Sequence, residues 1–368
     1  SFLKNKSQIG IISAISLVIG NMMGSGVLIL PSSLAVFGNY SFIGWIITSI
    51  GTIVLSLIFV KLSCWIKKSG GPYVFAQEVF GDFIGFQSAW CYWIFSWISN
   101  VALISSGIGY LSTFTNFDNS TIVIIGLCMI WWFTLLNLLD FKVFAKVQIF
   151  IAILKTLPII IFAILTIPHC SIPNYESCTN LYSSVSQSVT LTLWAFIGLE
   201  SATIPVSEFN NSKKIVQIAT ILGVIITATT YIIGSLSISS VLPQEIIISS
   251  SAPYVTATTQ IFGHKYGLLM AIIGFVSILG TLNGWIMIQG FVPMTASSQG
   301  LFPKIFQKQN KNNIPYFGII FGSILMSIAF LLSNSSNVKE QFKIIIELSC
   351  FFILVPYIFS LSAAFILA

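Results

Sequence analysis

Gly20-Asn21-Met22-Met23-Gly24-Ser25-Gly26-Val27 interrupts the first long apolar run of the chain, which covers 9–34. Three glycines, one serine and one asparagine fall within seven residues there, and each glycine costs a helix about 1 kcal/mol relative to alanine. Lipid offers no hydrogen-bond partner to backbone that leaves a helix, so broken backbone at membrane depth lines a cavity or is buried in protein. A break here frees the N–H groups of Gly24, Ser25 and Gly26 at the start of a second half-helix, a place suited to a carboxylate. The competing reading is a close helix–helix contact through small residues, of the G-x-x-x-G type. The rest of the chain decides between them.

Composition places the run in a membrane. Of 368 residues, 56% are hydrophobic and 7% charged, and the mean hydropathy is +0.95; soluble domains of this size are not so poor in charge. Ten apolar runs long enough to span follow one another, at 9–34, 42–62, 83–114, 121–139, 147–167, 185–204, 215–242, 266–296, 316–332 and 342–368. The third and eighth are long enough to imply tilt. With the N-terminus inside, the inner segments carry twelve lysines: Lys4, Lys6, Lys61, Lys67, Lys68, Lys142, Lys146, Lys213, Lys214, Lys304, Lys308 and Lys311. The outer loops carry three, Lys265, Lys339 and Lys343. That asymmetry predicts a cytoplasmic N-terminus. The net charge of +6 does not point to nucleic acid, because the lysines sit in short loops. Cys170 and Cys178 share one loop and pair if that loop faces an oxidising compartment; two unpaired thiols is the alternative. No cleavable signal peptide is evident. The chain starts at Ser1 and ends inside the tenth run, which suggests a piece of a longer protein.

Ten runs divide into five and five. The first is interrupted at Gly24-Ser25-Gly26. The sixth carries Trp194-Ala195-Phe196-Ile197-Gly198-Leu199-Glu200-Ser201, with a glycine and an acid in mid-run. An odd number of spans per half makes the halves inverted in topology, and paired interruptions at matching positions point to a transporter's midplane site. The opening stretch is therefore read as part of a substrate site.

A carboxylate at the depth of Glu200 costs about 2.5–3.5 kcal/mol, so it is a functional candidate, able to exchange a proton during a cycle. Its structural alternative is a hydrogen-bond partner for unwound backbone. Lys155 lies inside the fifth run, and either snorkels to the interface or is a buried ammonium bridging the broken first helix to the fifth and eighth. Glu347, four residues after Lys343, reads as a surface i,i+4 pair. Trp194 and Trp285 are in mid-span, away from the interfacial belts where tryptophan concentrates. A ring there can cover an ammonium or stack on a guanidinium, or simply pack. Tyr92, Trp93 and Trp97 lie in the third run, where packing is the preferred reading of the tryptophans, and Asn100 can bond either a ligand or another helix. There is no Gly-x-Ser-x-Gly, His-Glu-x-x-His or nucleotide-binding loop, and both histidines fall in outer loops. No enzyme, cofactor or metal is expected.

These motifs resemble the basic amino acid/polyamine antiporters, the arginine/agmatine and ornithine/putrescine exchanger type, of the amino acid–polyamine–organocation superfamily. The resemblance covers essentially the whole chain. Besides the two interruptions it rests on Gly284-Trp285, Gly300-Leu301-Phe302-Pro303-Lys304-Ile305-Phe306 and Leu354-Val355-Pro356-Tyr357. It implies that the N–H groups of Ser25 and Gly26 hold the substrate carboxylate. Backbone carbonyls near Met22, Trp194 and Ile197, beside Asn21, would hold the α-amino group. Trp194 would gate the bound substrate, and Trp285 would stack on the distal cation near Ser96, Asn100, Leu103 and Ser349. Glu200 would serve coupling or pH response, with Tyr92 and Tyr357 as gating tyrosines. The chain departs from the arginine/agmatine type at Ser96, Leu103, Asn283 and the loop 208–214. Lys155 is also foreign to that type; it resembles the proton-coupled permeases of the wider superfamily, and related folds hold a sodium ion at that place.

The expected fold is all-α: a polytopic membrane protein with an inverted 5+5 transmembrane-helix repeat (LeuT/APC-like) and broken helices 1 and 6. One transmembrane domain would cover 1–368, with repeats at 9–167 and 185–368, lacking spans 11 and 12 of the resembled family. The expected activity is exchange of a cationic amino acid for its amine or another amino acid, by alternating access in a bacterial inner membrane. The alternatives are a proton-coupled permease using Lys155, and a non-transporting sensor or inactive remnant. Expected partners are the substrate, the lipid bilayer and a second copy in a homodimer, with no nucleic acid.

Overall fold

A computed structural model describes residues 10–66, 68, 70–139, 141–171, 175, 180–204, 212–333 and 338–368, and every regular element in them is helical. Cys178, and with it the question of pairing to Cys170, lies outside the described residues. So do Lys4, Lys6, Lys67, the loop 205–211 and the side chains of Lys142, Lys213, Lys339 and Lys343.

The first span is two helices. α1 (Ile11–Met22) stops where Met23 turns to φ −79°, ψ 80°, and Gly24 to φ −108°, ψ −135°. α2 (Ser25–Ala35) starts immediately afterwards. α3 (Tyr40–Trp65) returns across the bundle. α4 (Pro72–Phe80) is a short connector with Pro72 in its first turn, where the missing N–H costs nothing. α5 (Asp82–Leu111), α6 (Asn119–Asn137) and α7 (Phe141–Thr166) complete the first five spans.

α8 (Leu181–Phe196) opens the second five, and the side-chain oxygen of Asn180 caps it by accepting from the Ser183 N–H. It ends at a second break, 197–200, followed by a 3-10 turn at Ser201–Thr203. Then come α9 (Ser212–Val241), the short connectors α10 (Gln244–Ser249) and α11 (Pro253–Phe262), and the last three spans. These are α12 (His264–Ser298), α13 (Tyr316–Ser333) and α14 (Val338–Leu367).

Among the described residues nine helical stretches are long and apolar enough to cross a membrane, α1 and α2 counting as one. The sixth of the ten expected runs is the one that falls short, because the break leaves α8 only 16 residues. Burial sorts the helices into a centre and a rim. The first span and α5 are each 78% buried along their most apolar stretch and α12 is 72% buried, against 28% for α6 and 33% for α13 and α14. The rim helices turn apolar side chains such as Trp132, Leu332 and Phe365 outward, as contact with lipid requires.

Helix polarity brings the exposed Lys61, Lys68, Lys146, Lys214, Lys304, Lys308 and Lys311 to one end of the bundle, the lysine-rich end. There Trp93 of α5 lies edge-on to Phe302 and Phe306, at 6.0 and 5.7 Å between ring centres, and stacks on Phe321 at 6.0 Å. This aromatic cluster pins the 3-10 turn Lys304–Gln307 to α5. Tyr73 of α4 donates to Thr295 Oγ1 at 2.8 Å, and burial pushes its phenol above the usual tyrosine range, so it stays a neutral donor.

Candidate functional site

The two helix breaks lie against each other. Gly198 has φ +111°, which L side chains rarely adopt, and a Cβ there would stand 3.1 Å from the carbonyl carbon of Asn21. One break thus rests directly on the backbone of the other. The half-helices after and before the breaks touch just as closely: a Cβ on Gly26 would be 2.9 Å from the Cβ of Ala195. α1 and α8 both end here, so both leave carbonyls without helical partners. Tyr231 of α9 addresses two of them, its hydroxyl 2.7 Å from Met22 O and 2.7 Å from Ala195 O. A phenol has one proton and donates to one of them at a time.

A cavity opens where the breaks meet α5 and α12. The space in it that admits water is about 20 Å³, room for a water molecule. An amino acid enters only when the walls part. Of the residues expected from the sequence, Asn21, Met22, Gly26, Leu103, Trp194, Ile197 and Trp285 line it. Phe95, Ser99 and Thr281 line it too, and sequence reasoning missed them. Ser96 and Asn100 sit on neighbouring faces of α5 and point elsewhere. Ser96 donates to Trp93 O at 2.6 Å, and the Asn100 amide reaches Gln289 Oε1 at 3.5 Å. Phe95, Ser99 and Leu103 recur at helical spacing on the face that does meet the cavity. Ser25 and Ser349 are buried beyond the lining, with hydroxyl oxygens that have no partner among the described residues. No ionisable side chain is among the residues lining the cavity.

Glu200 lies beside the cavity, fully buried. Its carboxylate accepts from Tyr92 at 2.5 Å, from Tyr357 at 2.5 Å and from the Gly198 N–H at 3.3 Å. The two tyrosines come from α5 and α14, so one carboxylate ties the second break to two other spans. Asn21 is tied as firmly. Its amide donates to Ser201 Oγ at 2.9 Å, and its backbone oxygen accepts from Trp285 Nε1 at 3.1 Å. Trp285 is set edge-on to Phe95, with ring centres 5.1 Å apart. The sequence marked Glu200, Tyr92 and Tyr357; it gave Ser201 no role beyond its place in the interrupted run and did not mark Tyr231, because their partners are backbone atoms and a residue 180 positions away.

Lys155 is 1% exposed. Its ammonium donates to Gly20 O at 2.8 Å and to Thr281 Oγ1 at 2.7 Å. Of the two readings open from the sequence, snorkelling is excluded by this geometry. Thr281 in turn bonds the backbone of the first break, at 3.0 Å from both Gly20 O and Met23 O. Lys155 therefore joins α7, the end of α1 and α12 at one point.

A family model described as amino acid permease matches residues 9–368. The chain belongs to the amino acid permease family. The permease is 29% identical over 370 residues to a cadaverine/lysine antiporter of Escherichia coli (strain K12), covering 97% of this chain and 83% of the relative. It is 30% identical over 369 residues to the putrescine transporter PotE of the same strain, covering 98% and 84%. It is 27% identical over 368 residues to PotE of Haemophilus influenzae, covering 98% and 85%. In three dimensions it is similar to the substrate-bound outward-open state of a Na+-coupled sialic acid symporter. The TM-score is 0.63 at 11% identity, over 97% of this chain and 89% of that one, a likeness of fold alone. The permease is an integral membrane transporter and not an enzyme, with the inverted five-plus-five arrangement expected from its sequence.

For a permease the chemistry of the breaks is direct. The start of α2 presents unpaired N–H groups and the positive end of a helix dipole; the ends of α1 and α8 present carbonyls and the negative ends. An α-amino acid carries the complementary pair of charges on adjacent groups. Trp194, Trp285 and Phe95 supply rings for whatever side chain it bears.

Proposed function

We propose that this permease exchanges a cationic amino acid for its amine or another amino acid by alternating access, with the lysine-rich end in the cytoplasm of a bacterial cell. The observation that carries this reading is the pairing of an N–H-bearing helix start at Gly24 and Gly26 with carbonyl-bearing helix ends at Met22 and Trp194 around one cavity. The names of the relatives support the substrate class, since a cadaverine/lysine antiporter and putrescine transporters match nearly the whole chain. The cavity walls support a cation held by rings and neutral acceptors, because Glu200 is engaged by two tyrosines rather than facing the cavity. The skew of twelve lysines against three supports the orientation. In this reading Trp194 gates the site, Glu200 with Tyr92 and Tyr357 closes its lysine-rich side, and residues 9–167 and 185–368 form the inverted pair. Asn100, Ser96 and Ser349 contribute to the distal end of the site as the walls part. A homodimer remains part of the proposal.

A second reading has its own observation. The buried Lys155 on Gly20 O and Thr281 Oγ1 suits a proton-coupled amino acid permease, in which loss of the proton releases α1. Liposomes containing the protein separate the two. Uptake of labelled lysine or ornithine that requires internal lysine, cadaverine or putrescine establishes exchange. Uptake into empty liposomes driven by a proton gradient, and abolished in Lys155→Ala, establishes the second reading. No uptake by folded protein leaves a non-transporting sensor or inactive remnant.

A further inference from the structure

Gln148 of α7 is a buried amide that the site as described does not use. It is 1% exposed, and its Nε2 donates to Asn21 Oδ1 at 3.4 Å. Its slot is cut by two glycines. A Cβ on Gly20 of α1 would stand 2.2 Å from Gln148 Nε2, and one on Gly284 of α12 would stand 3.0 Å from the same atom and 1.8 Å from Asn21 Oδ1. Two helices thus leave out side chains to admit one amide. Gln148 Oε1 has no partner among the described residues. A buried, half-satisfied amide is a poor choice for stability, since an apolar side chain of the same size leaves nothing unpaired.

The link it makes completes a chain across the bundle. Gln148 donates to Asn21, and Asn21 donates to Ser201. Ser201 Oγ donates to Gly198 O at 2.5 Å, and the Gly198 N–H donates to Glu200, which holds Tyr92 and Tyr357. Asn21–Ser201 joins the two broken spans to each other. Gln148–Asn21 and Tyr92–Glu200–Tyr357 join that pair to its surroundings at the two ends of the chain of bonds. At 3.4 Å the Gln148 link is the longest of these hydrogen bonds, ahead of the 3.3 Å Gly198 contact, and it has no charge to strengthen it.

We infer that Gln148, two residues beyond Lys146 of the lysine-rich end, is a positioning residue of the transport cycle: its amide latches α1 to α7 in the gap left by Gly284 of α12, and its release lets the broken spans open toward that end. The inference rests on the exchange reading above. Removing the latch shifts the population toward the state open at that end, which strengthens apparent affinity there and weakens it at the opposite face.

The test uses the full chain in liposomes, with labelled lysine presented to each face in turn. Gln148→Met keeps the volume and removes the donor. Its expected effect is about a tenfold change in the ratio of the two KM values, in favour of the lysine-rich face, with an unchanged thermal midpoint. Gly20→Ala perturbs the same link from the other helix, by pushing the amide away, and is expected to move the ratio in the same direction even if Gln148→Met folds poorly. A merely structural role lowers the amount of folded protein and leaves the ratio alone. Wild-type exchange with ratios within twofold of one another in all three proteins overturns the inference. Failure of the wild type to exchange lysine overturns the exchange reading itself, and this inference with it.

Discussion

Replacing Lys155 by methionine separates the two things a buried ammonium does to a protein. The ammonium bonds Gly20 O at 2.8 Å and Thr281 Oγ1 at 2.7 Å, and hydrogen bonds to a charged group contribute about 1.5–3 kcal/mol each. Against that stands the desolvation of the ion, several kcal/mol in a real interior. Methionine has a similar length, carries no charge and fills the same slot, so the net change in folding stability is close to zero or favourable. Transport is affected differently. These bonds belong to the arrangement in which α1 stands against α12, and a displacement of α1 breaks them. The difference between the states is about one charged hydrogen bond, 1.5–3 kcal/mol, or roughly a 10- to 150-fold change in their ratio. Lys155→Met is therefore expected to exchange lysine 10- to 150-fold more slowly, with a thermal midpoint equal to or above that of the wild type. Reconstituted exchange and thermal unfolding in detergent, on one preparation, measure both. Exchange within threefold of wild type refutes the reasoning, and so does a slow variant whose midpoint has collapsed.

Three further outcomes follow from the same geometry. In Gly26→Ala the new Cβ meets Ala195 Cβ at 2.9 Å and its Cα at 3.2 Å; with overpacking of about 1–3 kcal/mol, lysine affinity in a binding titration should fall about tenfold. Tyr357→Phe removes one of the two 2.5 Å donors to Glu200. The loss of about 1.5–3 kcal/mol should slow exchange by tenfold or more, and a double-mutant cycle with Tyr92→Phe should show coupling, because both act on one carboxylate. Gly198→Ala must hold φ at +111° with its Cβ 3.1 Å from Asn21; a strain of about 1–3 kcal/mol should lower the thermal midpoint, and an unchanged midpoint counts against the packing of the two breaks.

Much of the fold was legible because lipid allows few solutions. Gly24-Ser25-Gly26 announced the first break through its glycines, and Gly198 with Glu200 announced the second. Trp194 and Trp285 were legible as site residues because tryptophan in mid-span is out of its usual place. The face of α5 was not legible. That helix is buried nearly all round, so no polar side marks which residues meet the cavity, and Ser96 and Ser99 look equivalent in sequence although only Ser99 lines it. Tyr231 and Gln148 escaped for another reason: their partners are a carbonyl of Met22 and an amide of Asn21, and nothing in the local sequence of α7 or α9 records a contact made across the bundle. Lys155 was noticed but left between two readings, which only its depth and its acceptors could separate.

The uncharged lining of the cavity decides what the membrane potential acts upon. A carrier that brought an ionised side chain to face first one solution and then the other would itself respond to voltage. In the exchange reading the charge that changes sides is the cargo's, since no ionisable side chain is among the lining residues. An exchange of a monocationic amino acid for a dicationic amine moves one net elementary charge per turnover, worth about 2.3 kcal/mol per 100 mV. An exchange of two monocations moves none. The electrical signature of the turnover, read as a current or as its absence, therefore reports the difference in charge between the two molecules exchanged.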